Sequence, residues 1–472
     1  MSRSPRPAGG YRRGPGRRPW PVTLLLVAVL VELTAGVAGL RHVAAAGATR
    51  PAAGSAALRP TGVNARPTTP DYSGGLGQDR AGRAARTAAV RDLLERHASA
   101  LLRRDRAAFL ATVDPRATAF RASQSALFAN LAQVPLESWD YKLDPSSAEP
   151  VSDPSFARYG DPVWAPRVTL RYALRGFDPV PTDRPQFLTF VRRGGRWYLG
   201  SDRDFDGRGD RTWRGLWDFG PVVAYRGSAS LVLAHPRSAN RLATFASVVD
   251  RAVPHVTDVW GPGWSQRVVV LIPDTQQEMS HLIGGQFALA HIAAVATADY
   301  TDASSRTVRG QRVVINPSNL DRLGSVGRLV VLRHEITHVA TRAITGPAAP
   351  IWLVEGFADY VGYLDTGVPV TVAAQELRAE VRRGRVPAAL PTAKDFGGDN
   401  PRLSQSYEEA WLACRLLAAR TGQAGLVRFY RLVGSSTGDP RQAVTRALRV
   451  TAHLSYPQFV ADWRHLLATD LS

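Results

Sequence analysis

A chain of 472 residues is too long for one ordinary core and points to two folded domains plus extensions. Its net charge of +19 comes from 59 basic residues of which only Lys142 and Lys394 are lysines, and no Lys/Arg block interleaved with aromatics occurs in the folded part. This excludes a nucleic-acid partner from the expectations; a basic surface favours anionic envelopes or acidic substrates instead. Cys414 is the only cysteine, so no intrachain disulfide forms, and helical spacing in "EEAWLACRLLAARTG" makes it a small core residue rather than a catalytic thiol.

The first twenty residues carry six arginines and are followed by the apolar "PVTLLLVAVLVELTAGVAGL". A basic flank before such a stretch is an export signal with the N-terminus inside. Val22 to Leu40 is long enough to span a bilayer, although Glu32 interrupts it, and the small residues Ala44 to Ala46 offer a cleavage site. Residues 1–40 are therefore expected to be a signal anchor or signal peptide, giving a single-pass membrane protein or a secreted one, with the folded part outside the cytoplasm. Residues 41–78 are rich in Ala, Gly, Pro, Thr and Arg and read as a disordered tether.

Folding is expected to resume near Gly82, where Val90, Leu93, Leu94, Leu101 and Leu102 follow helical spacing, with a second helical run over 117–132. "RVTLRYALRG" alternates Val168, Leu170, Tyr172 and Leu174 on one face of a strand, and "FLTFVRRGGRWYLGSD" reads as two strands joined at Gly194-Gly195. Helices followed by antiparallel strands over residues 79–205, ending in "GGRWYLGSD", resemble the nuclear-transport-factor-like cone fold. That resemblance implies a pocketed module used as a spacer, a regulator or a substrate-presenting surface. Beyond it, "DRDFDGRGD" spaces Asp202, Asp204, Asp206 and Asp210 like half of a calcium loop, but Trp213 stands where a bidentate Glu is needed, so a solvated turn is expected.

From residue 216 on, "ASLVLAHP", "QRVVVLIPD", "AAVATADY" and "RVVINP" read as strands, with a helix over 238–259. Next comes "VLRHEITHVATR", which sets His334 and His338 four apart. At about 100° and 1.5 Å per residue these imidazoles lie roughly 40° apart, one turn along the same helix face, and can grip one ion. Glu335 projects about 100° from His334, near enough to reach a water on that ion without ligating it. In "PIWLVEGFADYVGYL" the one glutamate, Glu355, follows His338 after sixteen intervening residues, enough for the chain to return as an antiparallel helix. His334, His338 and Glu355 make three protein ligands and leave a fourth position open, the catalytic form of a Zn2+ site. Asp359, four residues after Glu355, shares its face and points at the same place. His281, His291, His235 and His255 have no ligand partner at useful spacing.

These residues resemble the gluzincin (HExxH...E) zinc metallopeptidases, the peptidase MA-like and aminopeptidase-N-like catalytic domains, over roughly residues 215–472. Together the two resemblances imply an α+β chain with an N-terminal cone-shaped α+β domain followed by a gluzincin domain, 216–472, whose upper lobe is a mixed sheet and whose lower lobe is helical. The gluzincin resemblance implies that zinc polarises a peptide carbonyl while Glu335 acts as general base on a zinc-bound water. It further implies that Asp359 holds His334 from behind, that a donor such as Tyr407 in "RLSQSYEEAW" faces the base, and that a peptide adds to an edge strand, for which "TVRGQRVVINP" is the candidate. The expected partners are a peptide or protein substrate and the membrane. The competing expectation, from another class, is a catalytically silent zinc-binding envelope or scaffold module.

Overall fold

The computed structural model describes residues 72–74, 80–149, 151–283, 292–300, 308–398 and 400–472. The expected leader and nearly all of the expected tether lie outside the described residues, as does His291. Among the described residues no helix is long and apolar enough to cross a membrane.

The chain is a mixed α+β structure. It starts with α1 (Arg80–Leu102), α2 (Arg106–Ala111) and α3 (Thr118–Asn130), followed by β1 (Leu136–Ala148), β2 (Val163–Trp164), β3 (Pro166–Leu174), β4 (Thr182–Phe187), β5 (Thr189–Arg193) and β6 (Arg196–Ser201). The strands form two three-stranded sheets, β1-β3-β4 and β2-β5-β6, antiparallel throughout. Gly194 and Gly195 take φ of 52° and 83°, the left-handed pair that a two-residue hairpin between right-twisted strands demands. Helical phase decides α1: Val90, Leu93, Leu94 and Leu101 are buried, whereas Leu102, about 100° further round, is 43% exposed. The first two aspartates after β6 are engaged by cations and donors of this chain. Asp202 accepts from Arg214 at 2.6 Å, and Asp204 pairs with Arg158 and accepts from Tyr159 at 2.7 Å and Thr189 at 2.6 Å.

The second half opens with β7 (Val223–Arg226), β8 (Ser230–Ala234), α4 (Leu242–Trp260), β9 (Val268–Ile272), α5 (Gln276–Ile283), β10 (Ala294–Tyr300) and β11 (Val308–Ile315). Its mixed sheet has the order β10-β11-β9-β8-β7, parallel at its centre and antiparallel at both edges. β8 and β9 are buried at every residue, which requires cover on both faces. Val232, Val270, Ile272, Val313 and Ile315 face one core, shared with α4 and the later helices. Leu231, Leu233, Val269, Leu271, Val295 and Val314 face the other, where they meet Leu101, Leu136, Trp139, Tyr172 and Trp217 of the first half. The two halves thus share a hydrophobic core, fastened by two 2.7 Å hydrogen bonds from Arg312 to Asp178, each side chain 4% exposed.

The remaining chain is helical: α6 (Pro317–Leu320), α7 (Ser325–Thr341), α8 (Ile351–Tyr363), α9 (Val370–Ala373), α10 (Gln375–Val381), α11 (Leu403–Gly434), kinked at Gly422, α12 (Pro440–Ala452) and α13 (Tyr456–Asp470). Asp439 caps α12 through Gln442 N at 2.8 Å, and Ser455 with Gln458 forms a capping box on α13. The strand order corrects one expectation. β11, in "TVRGQRVVINP", lies inside the sheet between β10 and β9, and β10 is the edge strand beside α7.

Candidate metal centre

Two helices build the centre. On α7, Leu332, Ile336, Val339 and Ala340 anchor the core-facing stripe, which carries His334, Glu335 and His338 inward to 3%, 0% and 2% exposure. α8 starts just after Pro350, whose fixed φ and missing N–H suit a helix entrance, and is nearly all apolar apart from Glu355 and Asp359. The helices pack side by side, so the buried face of each carries its acid or imidazoles to the other.

His334 Nε2 and His338 Nε2 lie 2.9 Å apart, and Glu355 Oε2 is 3.2 Å from the first and 3.5 Å from the second. Ligand atoms of these three residues all fall within 4.8 Å of one another. Asp359 Oδ1 is 2.7 Å from His334 Nδ1, on the far side of the ring. With the proton on Nδ1 toward that carboxylate, the Nε2 lone pair of His334 faces the cluster. Three electron-rich atoms thereby converge at a buried point, and neither oxygen of Glu355 has an aligned hydrogen-bond donor. Such an arrangement is costly unless a cation sits among the donors, and a His, His, carboxylate set with an open side suits zinc.

Glu335 does not join the cluster. Its Oε2 accepts from Ala296 N of β10 at 2.7 Å, and its Oε1 is buried without a partner. Burial pushes Glu335 up to about 8, against the pull of His334. Burial alone would lower His334, but Asp359 and Glu355 raise it well above the usual imidazole range. His338, where burial dominates, falls to about 4. Burial would raise Glu355, yet the two imidazoles hold it below the ordinary value. The centre therefore offers one imidazole that readily stays neutral and two carboxylates of opposite tendency, set apart by their surroundings.

Tyr407, near the start of α11, is buried with its ring 6.4 Å from that of His334. It lines a cavity of about 770 Å³ together with His338 and Glu355. All six side chains singled out from the sequence thus come together at one place. His235, His255 and His281 do not: His235 Nδ1 bonds Pro221 O at 2.8 Å, His255 Nε2 bonds Val361 O at 3.2 Å, and His281 lies against Phe219. One residue escaped the sequence reading. Arg342, one turn after His338, is 3% exposed and donates Nη2 to Ala296 O at 2.8 Å. Ala296 is therefore held at its N–H by Glu335 of α7 and at its C=O by Arg342, which caps the end of that helix. No side-chain spacing signals Arg342, because its partner is a main-chain carbonyl.

No protein-family model and no curated protein matches the chain. Solved structures similar to it include an M1 zinc metallopeptidase from Deinococcus radiodurans, 15% identical, covering 60% of this chain and 59% of that one, TM-score 0.32. A mutant of an M1 zinc metallopeptidase from Deinococcus radiodurans bound to a Tyr-Ser-Ala substrate is 16% identical, covers 58% of each chain and has a TM-score of 0.31. Yeast LTA4 hydrolase is 11% identical over 61% of this chain and 45% of that one, TM-score 0.33. The chain spans less than two thirds of each of these proteins. Likeness at that level carries no weight for function, and the centre's own chemistry has to supply it.

Proposed function

We propose that the protein is a zinc-dependent peptidase that hydrolyses peptide bonds outside the cytoplasm, joined to the membrane by its N-terminal apolar segment. The observation that carries the reading is the buried His334, His338 and Glu355 cluster with Glu335 beside it and outside it. Zinc held there would supply Lewis acidity to the scissile carbonyl and bring the pKa of water towards about 7. Glu335, whose ionised form a zinc ion held there would favour against its burial, takes the proton of the attacking water on its partnerless Oε1 and passes it to the leaving amine, while Ala296 N–H keeps its other oxygen in place. Asp359 fixes the tautomer of His334. The Tyr407 hydroxyl supplies a hydrogen bond to the developing oxyanion. The first half of the chain, packed on the outer face of the sheet, supports the strands that carry Ala296.

The test uses the full-length protein, with metal analysis alongside turnover of a peptide library, with and without a chelator. Zinc bound in equimolar amount and chelator-sensitive cleavage are expected. Glu335→Gln is expected to keep zinc and to lose about 10² or more in kcat, whereas His334→Ala, His338→Ala and Glu355→Ala lose zinc. Zinc without any cleavage would leave the silent envelope or scaffold module as the reading.

A further inference from the structure

We propose that the centre acts on peptide segments that carry a carboxylate beside bulky apolar side chains, with Arg441 as the residue that reads the carboxylate. This rests on the peptidase reading and names the substrate class for it. The cavity that opens from His338 and Glu355 encloses about 770 Å³, the range that holds a drug-sized ligand rather than one side chain. Its walls are apolar and aromatic, chiefly Ile351, Trp352, Leu390, Phe396 and Tyr456. A peptide end entering here exchanges water for hydrocarbon over several side chains, which favours large apolar residues.

Charge decides which kind of segment enters. The cations in the lining are Arg342, at depth, and Arg441; among the described lining residues the only carboxylate is the ligand Glu355. Acids nearby in sequence are turned to other work. Asp395 accepts from Thr392 N and Oγ1, both at 2.7 Å; Glu408 accepts from Leu377 N at 2.6 Å; Glu409 accepts from Arg402 at 2.9 Å. A substrate ammonium would thus meet guanidinium groups, whereas a carboxylate finds them as partners.

Arg441 is suited to the reading role. It stands at the exposed start of α12, its guanidinium carbon 3.3 Å from the centroid of the Tyr456 ring, and it forms no ion pair among the described residues. Stacking orders the planar fork before substrate arrives and leaves its N–H edge for a carboxylate. Arg342, by contrast, is already tied to Ala296. A carboxylate of this kind is either a peptide's C-terminus or an Asp or Glu side chain, and both present the same two oxygens.

The test measures kcat and KM of the zinc-loaded, full-length enzyme on matched quenched fluorogenic peptides with one apolar core sequence. One arm compares a free-acid C-terminus with an amide; the other compares Asp with Asn, stepped outward from the scissile bond. We expect the carboxylate member of at least one arm to be favoured by about tenfold in kcat/KM, mostly through KM. The arm that shows it identifies the source. Arg441→Ala should bring that ratio near unity and Arg441→Glu should invert it, with unchanged circular dichroism. Zinc-dependent cleavage with equal rates in both arms, or a ratio that survives Arg441→Ala, overturns this inference and leaves the peptidase reading standing. Absence of zinc-dependent cleavage across the whole set overturns both.

Discussion

His334 Nδ1 and Asp359 Oδ1 are 2.7 Å apart although 25 residues separate them in sequence, and the contact is buried on both sides. Asp359 carries no ligand atom of the cluster, so its effect on the metal passes through the imidazole: it fixes which nitrogen keeps the proton and makes the other a better donor. Asp359→Asn keeps an acceptor oxygen of the same shape but removes the charge. Zinc affinity or activity is expected to fall by about 10- to 100-fold with the fold retained. Competition with a chelator of known affinity measures it, and wild-type zinc affinity together with wild-type activity would remove Asp359 from the centre.

Tyr407 invites a different split. Its ring lies edge-on against Phe396 at 5.1 Å between centroids, which helps to fix the phenol. If the hydroxyl stabilises charge that develops only in the transition state, Tyr407→Phe lowers kcat by about 10²-fold while KM and zinc content stay near wild type. Equal kinetics in the two proteins would reduce Tyr407 to a packing residue of the cavity wall.

A pH-dependent stability follows from Glu408. It is 1% exposed and accepts from Leu377 N at 2.6 Å at the start of α10. Burial, helped by the neighbouring Glu376 carboxyl, pushes it up to about 10 from an ordinary 4.5. Between those values the folded protein holds a proton that the unfolded chain has released, so the folded state binds more protons and stability falls as pH rises through this window. Glu408→Gln mimics the protonated carboxyl and removes the dependence. Its melting temperature, set against wild type, is expected to rise steadily from pH 5 to pH 9, whereas parallel curves would show that Glu408 does not titrate this way.

How far the chain could be read in advance depended on whether the information was local. His334 with His338, and Glu355 with Asp359, were legible because one rule, four residues per shared helix face, places each pair, Glu335 because it stands about 100° from His334, and each helix is continuous through them. The edge strand was not legible: "AAVATADY" and "RVVINP" are equally apolar, and which of them ends the sheet depends on pairing with β9. The shared core was half visible. Unbroken apolar runs in β8 and β9 demand two covered faces, but nothing in them says that the cover is Trp139, Tyr172 and Trp217. Arg342 lacked any motif partner, because what it binds is a main-chain carbonyl.

The last prediction concerns the position of the glutamate helix. Gly356 directly follows Glu355, and a Cβ placed on it would lie 2.2 Å from Ala410 O and 3.1 Å from Cys414 Sγ, both on α11. The nearer atom is helix backbone, so no rotamer change relieves the clash and α8 itself has to move away. Glu355 moves with it, out of the reach at which its Oε2 approaches both imidazoles. Gly356→Ala is therefore expected to lose stability by about 1–3 kcal/mol or more and, unlike an ordinary core substitution, to weaken zinc binding as well. Gly263 supplies the control: its added Cβ would meet nothing within 4 Å, so Gly263→Ala should leave both quantities within error. Thermal unfolding with and without saturating zinc separates the two effects, since lost affinity also shrinks the zinc-induced rise in melting temperature. A Gly356→Ala protein with wild-type melting and an undiminished zinc shift would show that α8 and α11 do not need this contact to set Glu355.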